Sequence, residues 1–75
     1  MENMTLFIEK KDGMAKYINN ILYIEHRIIN KKHTIVIFYK GKDEQQVFDE
    51  HLLLNEIKEL SLVDKKGKEY FKYEK

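Results

Sequence analysis

Residues 48–60 have the sequence FDEHLLLNEIKEL, and the spacing of their apolar residues sets the expected fold class. Leu53, Ile57 and Leu60 recur every three or four residues, which is the spacing of one face of an α-helix. Asp49 stands before this run, where its carboxylate can accept hydrogen bonds from the free N–H groups of a first helical turn. The segment therefore predicts one amphipathic helix from Asp49 to Leu60.

The rest of the chain has the branched and aromatic residues typical of β-strands. Residues 34–39, TIVIFY, are apolar on both faces and predict the central strand of a sheet. The other strands are expected at residues 4–10, 14–29 with a kink at 19–20, 45–48, 61–64 and 68–73. The predicted fold class is therefore α+β, a small, mostly antiparallel sheet with the helix packed on one face, in the order β-β-β-β-α-β. A single compact domain is expected to span residues 1–75.

Length and composition narrow the functional classes. The chain has 75 residues, no cysteine and a formal net charge of +1. A chain of this size has a thin core, so a homodimer or a larger protein partner would add stability. The absence of cysteine argues against a disulfide-stapled secreted domain. Neither a signal peptide nor an apolar run of membrane-spanning length is present. We therefore expect a cytoplasmic protein without a membrane partner.

No motif in the sequence indicates catalysis. The three histidines, His26, His33 and His51, fall on a predicted strand, a turn and the predicted helix, without the spacing of metal ligands on one element. The sequence contains neither a phosphate-binding glycine loop nor a nucleophile motif. We therefore expect a non-enzyme with no catalytic residue, cofactor or metal.

Charge is unevenly distributed along the chain. Residues 26–42 contain basic side chains and no acid, whereas residues 43–64 contain seven acids and one base. The basic segment could contact phosphates, or its lysines could solvate a sheet edge and prevent edge-to-edge pairing. The candidate binding residues of this segment are Arg27, Lys31, Lys32, His33, Lys40 and Lys42.

The C-terminal segment is the second candidate surface. Tyr70, Phe71 and Tyr73 place aromatic rings on both faces of a predicted terminal strand. Such a strand could add to the sheet edge of a partner or stack on single-stranded bases. Alternatively, Phe71 and Tyr73 could simply cover the helix or the sheet face.

Part of the chain resembles a known family. The segment NILYIE at residues 20–25, the strand at 34–39 with Gly41, and LLLNEIKEL at 52–60 are similar to LytTR-type DNA-binding domains over residues 5–60. The resemblance implies a DNA-binding transcriptional regulator. The basic-aromatic segment that follows the helix in that family is replaced here by SLVDKKG, so no DNA-contacting residue is carried over from it.

Two functions are therefore expected from the sequence. The first is a small non-catalytic protein-binding regulator or inhibitor, for example an anti-defence protein. The abundant Lys, Ile and Asn of the chain suggest an A/T-rich genome and hence a phage or mobile element as its source. The alternative is a small LytTR-like regulator that binds nucleic acid.

Overall fold

The computed structural model describes residues 4–43 and 45–74. Over these residues the chain forms seven strands and one short 3-10 turn, with no α-helix. The strands are β1 (Thr5–Lys10), β2 (Ala15–Asn19), β3 (Ile21–Ile29), β4 (Lys32–Lys40), β5 (Val47–Leu53), β6 (Ile57–Val63) and β7 (Glu69–Glu74). No helix in this part of the chain is long and apolar enough to cross a membrane.

The strands form two antiparallel sheets. One has the order β2-β1-β6-β7 and the other has the order β3-β4-β5. The chain crosses between the sheets after β2 and after β5. Two backbone hydrogen bonds tie the first of these crossings. The N–H of Ile21 donates to the carbonyl of Met4 over 3.3 Å, and the N–H of Lys40 donates to the carbonyl of Asn20 over 3.0 Å.

The core lies between the two sheets. One face of each sheet, called here the inner face, contributes aliphatic side chains, because alternate residues of a strand point the same way. The strand predicted to be central, β4, is confirmed as the middle strand of its sheet. The buried residues of the core are Met4, Leu6, Ile8, Ile18, Ile21, Ile37, Leu52, Ile57, Leu60 and Leu62.

The predicted α+β fold class is wrong, because the amphipathic helix does not exist. Residues 49–60 form the end of β5, a 3-10 turn at Leu54–Glu56 and the start of β6. His51, which the sequence placed on the helix, lies on β5 opposite Val36 of β4. The protein is an all-β domain of seven strands, and the order β-β-β-β-α-β is replaced by a run of strands alone.

The helical spacing arises from two irregularities of the strands. The 3-10 turn separates Leu53, at the end of β5, from Ile57, at the start of β6. A register shift in the pairing of β1 with β6 then lets both Ile57 and Leu60 face the core, although they are three residues apart. A turn plus a bulge therefore imitates the period of a helix. Cross-strand pairing outweighed the weak local preference of this segment.

Candidate functional site

The strand β7 is the least covered element of the molecule. It pairs only with β6 and forms one edge of the four-stranded sheet. Neighbouring strands lie about 4.8 Å apart, so a four-stranded sheet is roughly one strand wider than the three-stranded sheet opposite. Five of the six residues of β7 are exposed, with only Tyr73 half-buried. The backbone of β7 therefore has a free edge and its side chains have little cover.

The aromatic residues of β7 are held in place although they are exposed. Tyr70 is 56% exposed, and its hydroxyl donates to Oδ2 of Asp64 over 3.2 Å. Phe71 is 47% exposed and lies opposite Leu62 of β6. Tyr73 lies opposite Leu60 and packs against the core. The suggestion that Phe71 or Tyr73 covers a helix is excluded by the absence of that helix.

The turn before β7 is organised by one carboxylate. Oδ1 of Asp64 accepts from the backbone N–H groups of Lys66 and Lys68, each over 2.9 Å. The hydrogen bond from Lys68, followed by those from Lys66 and Tyr70, lowers the pKa of Asp64 below its ordinary value. The ionised carboxylate therefore fixes the start of β7.

Charge is balanced on the outer side of β7. Lys72 lies 3.6 Å from a carboxylate oxygen of Glu74 and 3.7 Å from one of Glu59. The fields of Glu74, Glu59 and Glu69 raise the pKa of Lys72. An edge lysine opposes indiscriminate pairing of strands. Its neutralisation by these acids leaves the edge open to a matched partner.

The β3–β4 hairpin brings Lys31, Lys32 and His33 close to Tyr73 of β7. Asn30 and Lys31 both have positive φ, 51° and 64°, in a two-residue turn that pairs Ile29 with Lys32. Positive φ at both central residues is the geometry of a type I′ turn, whose twist matches the strands beside it. Because this turn is tight, Lys32 and His33 belong to β4 rather than to the longer loop that the sequence suggested.

A cleft of about 280 Å³ lies between the hairpin, the 3-10 turn and β7. We call it the hairpin cleft, and it is lined by Lys31, Lys32, His33, Leu54, Asn55 and Tyr73. It therefore brings together candidate residues from two segments that are far apart in the sequence. None of the acidic residues that the structure describes lines it. Its lining combines two lysines, a histidine, an asparagine and a tyrosine with Leu54.

One side of the hairpin cleft is ordered by a pair of histidines. Nε2 of His26 on β3 and Nδ1 of His33 on β4 are 2.8 Å apart, and the two rings are nearly parallel. The exposed side chain of Ile28, the cross-strand partner of His33, lies beside them. The histidine pair therefore fixes one ring nitrogen of His33 and leaves the other, Nε2, for a ligand.

The remaining basic candidates do not reach this cleft. Arg27 forms an ion pair with Glu25 on the outer face of β3, and its guanidinium lies 5.8 Å from the ring centre of Phe38. Lys40 is the last residue of β4 and Lys42 follows it, and both line a second cleft of about 310 Å³ at the other end of this strand. The basic segment therefore does not form one continuous face.

The second cleft, called here the loop cleft, differs in charge from the hairpin cleft. Glu50 is part of its lining and forms an ion pair with Lys16. Among the described residues, the buried Oε2 of Glu50 has this ion pair and no further hydrogen-bond partner. The loop cleft is lined by Lys16, Tyr17, Ile18, Asn19, Asn20, Tyr39, Lys40, Gly41, Lys42 and Glu50. Its charge is therefore partly neutralised from within.

Metal ligands are sparse in the part of the chain that the structure describes. No group of three or more His, Asp, Glu or Cys side chains there could hold a metal ion. His51 contacts Asp49, with Nε2 and Oδ2 2.9 Å apart, away from the histidine pair.

Sequence reasoning missed two residues of the hairpin cleft, Leu54 and Asn55. Both were assigned to the helix, whereas they form the 3-10 turn that closes one side of the cleft. Asn55 carried the one available signal, because asparagine favours turns over helix interiors.

Comparison of the chain with protein-family models, curated proteins and solved structures gives no match. The class of protein is therefore defined by the fold and the site alone. It is a small two-sheet β-domain with an uncovered edge strand beside a basic cleft.

Proposed function

We propose that this protein is a small, non-catalytic regulator or inhibitor that acts by occupying the surface of a partner protein. The observation that carries the proposal is the meeting of Lys31, Lys32, His33 and Tyr73 in one cleft beside the free edge of β7. A free edge offers main-chain hydrogen bonds to an added strand, and adjoining pockets supply specificity. Exposed Tyr and Phe side chains are typical of the centres of protein interfaces.

The biological setting is part of the same proposal. The absence of cysteine suits a cytoplasmic protein. The abundance of Lys, Ile and Asn, which A/T-rich genomes encode most readily, supports a phage or mobile element as the source. An anti-defence protein is one regulator that such an element could encode. A second copy of the chain could also occupy the edge of β7, in which case the protein would be a homodimer.

The proposal is tested by affinity purification from the native host with two matched double variants. Tyr70→Ala with Phe71→Ala alters the exposed aromatic residues of β7. Tyr17→Ala with Tyr23→Ala alters two equally exposed aromatic residues elsewhere. We expect a stoichiometric partner with the wild type and with the control, and none with the β7 variant. Equal recovery with both variants would contradict the proposal.

Sedimentation separates self-association from a foreign partner. A dimer of the purified wild type at tens of micromolar that becomes a monomer in the β7 variant would identify the occupant as a second copy. If the wild type and the β7 variant are both monomers, the edge of β7 stays free for another protein.

A second function, a small DNA-binding regulator of the LytTR-like kind, is supported by the unpaired lysines of the hairpin cleft. Phosphate contacts would make binding fall steeply with salt. We expect random duplex to bind more weakly than about 10 μM at physiological salt, outside the range of specific regulators. Sequence-selective nanomolar binding would favour this second function instead.

A further inference from the structure

We infer that the hairpin cleft receives a carboxylate side chain from an acidic, extended segment of the partner, which pairs with the edge of β7. This inference rests on the proposed function and specifies the chemistry of the partner. It is carried by the charge of the cleft, by its hydrogen-bond donors and by its position beside the strand.

The charge of the hairpin cleft is not neutralised from within. Among the described residues, the ion pairs are made by Lys16, Arg27, His51, Lys58 and Lys72. Lys31 and Lys32 make none of them, and no carboxylate of residues 4–43 or 45–74 lines the cleft. The loop cleft, by contrast, includes Glu50 in contact with Lys16. An incoming carboxylate would therefore meet the charges of Lys31 and Lys32 without a described acid in the hairpin cleft. In the loop cleft it would meet Lys40 and Lys42 but also Glu50.

The donors of the cleft suit the geometry of a carboxylate. When Nδ1 of His33 accepts a hydrogen bond from Nε2 of His26, the other nitrogen of His33 carries a proton and becomes a donor. Asn55 adds an amide N–H₂ group at the opposite side. Leu54 and Tyr73, both half-buried, add apolar surface beside these donors, and hydrogen bonds to a carboxylate are stronger than those between neutral groups.

The position of the cleft favours a protein segment over a nucleic acid. Residues of an added strand point alternately to its two faces, so every second side chain could reach the cleft while the backbone pairs with β7. Lys31 and Lys40 are separated by the whole length of β4, roughly 30 Å at about 3.3 Å per residue. Glu25 lies opposite Val36, in the middle of β4 and on its outer face. A phosphate backbone that joined the two basic ends along this face would pass that carboxylate.

The experiment uses a blocked peptide of alternating glutamate and valine as the probe, titrated into the full-length protein and followed by amide chemical shifts. We expect shifts at Lys32, His33, Asn55 and Tyr73 that disappear in high salt. Lys31→Glu with Lys32→Glu should weaken binding by about tenfold or more, because charge pairs within interfaces couple strongly. Lys40→Glu with Lys42→Glu makes the same change in net charge and should weaken it by less than about twofold.

Four results would overturn the inference: no shifts at the cleft, equal weakening by both double variants, equal binding of a lysine–valine peptide, or tighter binding of random duplex DNA at the same residues. If Lys31→Glu with Lys32→Glu disturbs the hairpin, Lys31→Gln with Lys32→Gln removes the charge without reversing it. Failure of the proposed function is distinguishable. If the β7 aromatic variant loses the partner while the cleft variants retain it, only the inference fails.

Discussion

The strands β4 and β7 are alike in sequence and opposite in setting. Both carry apolar or aromatic residues on their two faces. β4 is paired on both sides, and it buries Val36 and Ile37, on its two opposite faces, completely. β7 is paired on one side, and it exposes Tyr70 and Phe71.

The difference shows where apolar residues serve the fold and where they do not. The inner face of β4 packs against the opposite sheet, and its outer face is covered by side chains of β3 and β5. β7 extends past the cover of the three-stranded sheet, so its rings contribute less to the core. Exposed aromatic residues on a free sheet edge are an aggregation hazard unless they are matched to a partner. The proposed function gives those residues that role.

The largest effect is expected at the buried strand. Ile37→Ala removes a fully buried side chain, and such a change costs about 2–5 kcal/mol. That cost is comparable with the roughly 3–5 kcal/mol available to so small a core. Thermal melts should show that cooperative folding is lost. The control is Ile28→Ala on the same face of the neighbouring strand, where the side chain is 65% exposed and the cost should stay below about 1 kcal/mol. Equal costs would contradict the assigned core.

Ile57→Ala should lower the free energy of unfolding by a similar amount. The cause is not the one that the sequence suggested. Ile57 is fully buried at the start of β6 rather than on a docked helix.

The next largest effect should separate stability from binding at β7. Phe71→Ala should lower the free energy of unfolding by less than about 1 kcal/mol, because half of the side chain is already exposed. It should weaken partner binding by about 2 kcal/mol or more if Phe71 is an interface anchor. Chemical denaturation and titration calorimetry measure the two quantities. A large loss of stability with unchanged affinity would show that Phe71 stabilises the fold, as the buried residues of β4 do, and does not bind the partner.

A smaller, stabilising effect is expected at the hairpin. Lys31 has φ of 64°, a conformation that costs an L-residue about 1–2 kcal/mol and glycine little. After subtracting the entropy that glycine loses on folding, Lys31→Gly should stabilise the fold by about 0.5–1 kcal/mol. Lys32→Gly, within β4, is the control and should destabilise it. Lys31→Gly should also weaken binding of the acidic peptide, because the substitution removes the ammonium group of Lys31. Higher stability with weaker binding would separate the effect of backbone strain from the effect of charge.

The smallest effect concerns pH. The pKa of Asp64 is lowered in the folded protein, so its contribution to stability is present above the ordinary aspartate pKa and is lost as the pH falls through the folded value. As the pH falls below the ordinary aspartate pKa, the protection of the Lys66 and Lys68 amides, measured against the intrinsic exchange rate at the same pH, should therefore fall, while that of β4 is kept. Asp64→Asn should show the faster exchange already at neutral pH. No change at either pH would remove Asp64 as the anchor of β7.

Sequence patterns predicted most of the strands but not the fold class. Local alternation was enough to place β1, and the predicted kink at residues 19–20 falls where β2 ends and β3 begins. The predicted helix at residues 49–60 was wrong because the 3-10 turn and the bulge near Lys58 are set by pairing with distant strands. The candidate site was half predictable. The residue types were visible, but only the topology shows that Lys31 meets Tyr73 while Lys40 does not.

The central claim, that β7 and the hairpin cleft form the partner-binding surface, is tested most directly by photo-crosslinking in the native host. A benzophenone side chain is placed at position 71 on β7 or at position 17 on β2, where Tyr17 is 69% exposed at the other edge of the same sheet. The account predicts one discrete crosslinked product from position 71, abolished by Lys31→Glu with Lys32→Glu, and none from position 17. The same product from position 17, or none from position 71, would contradict it.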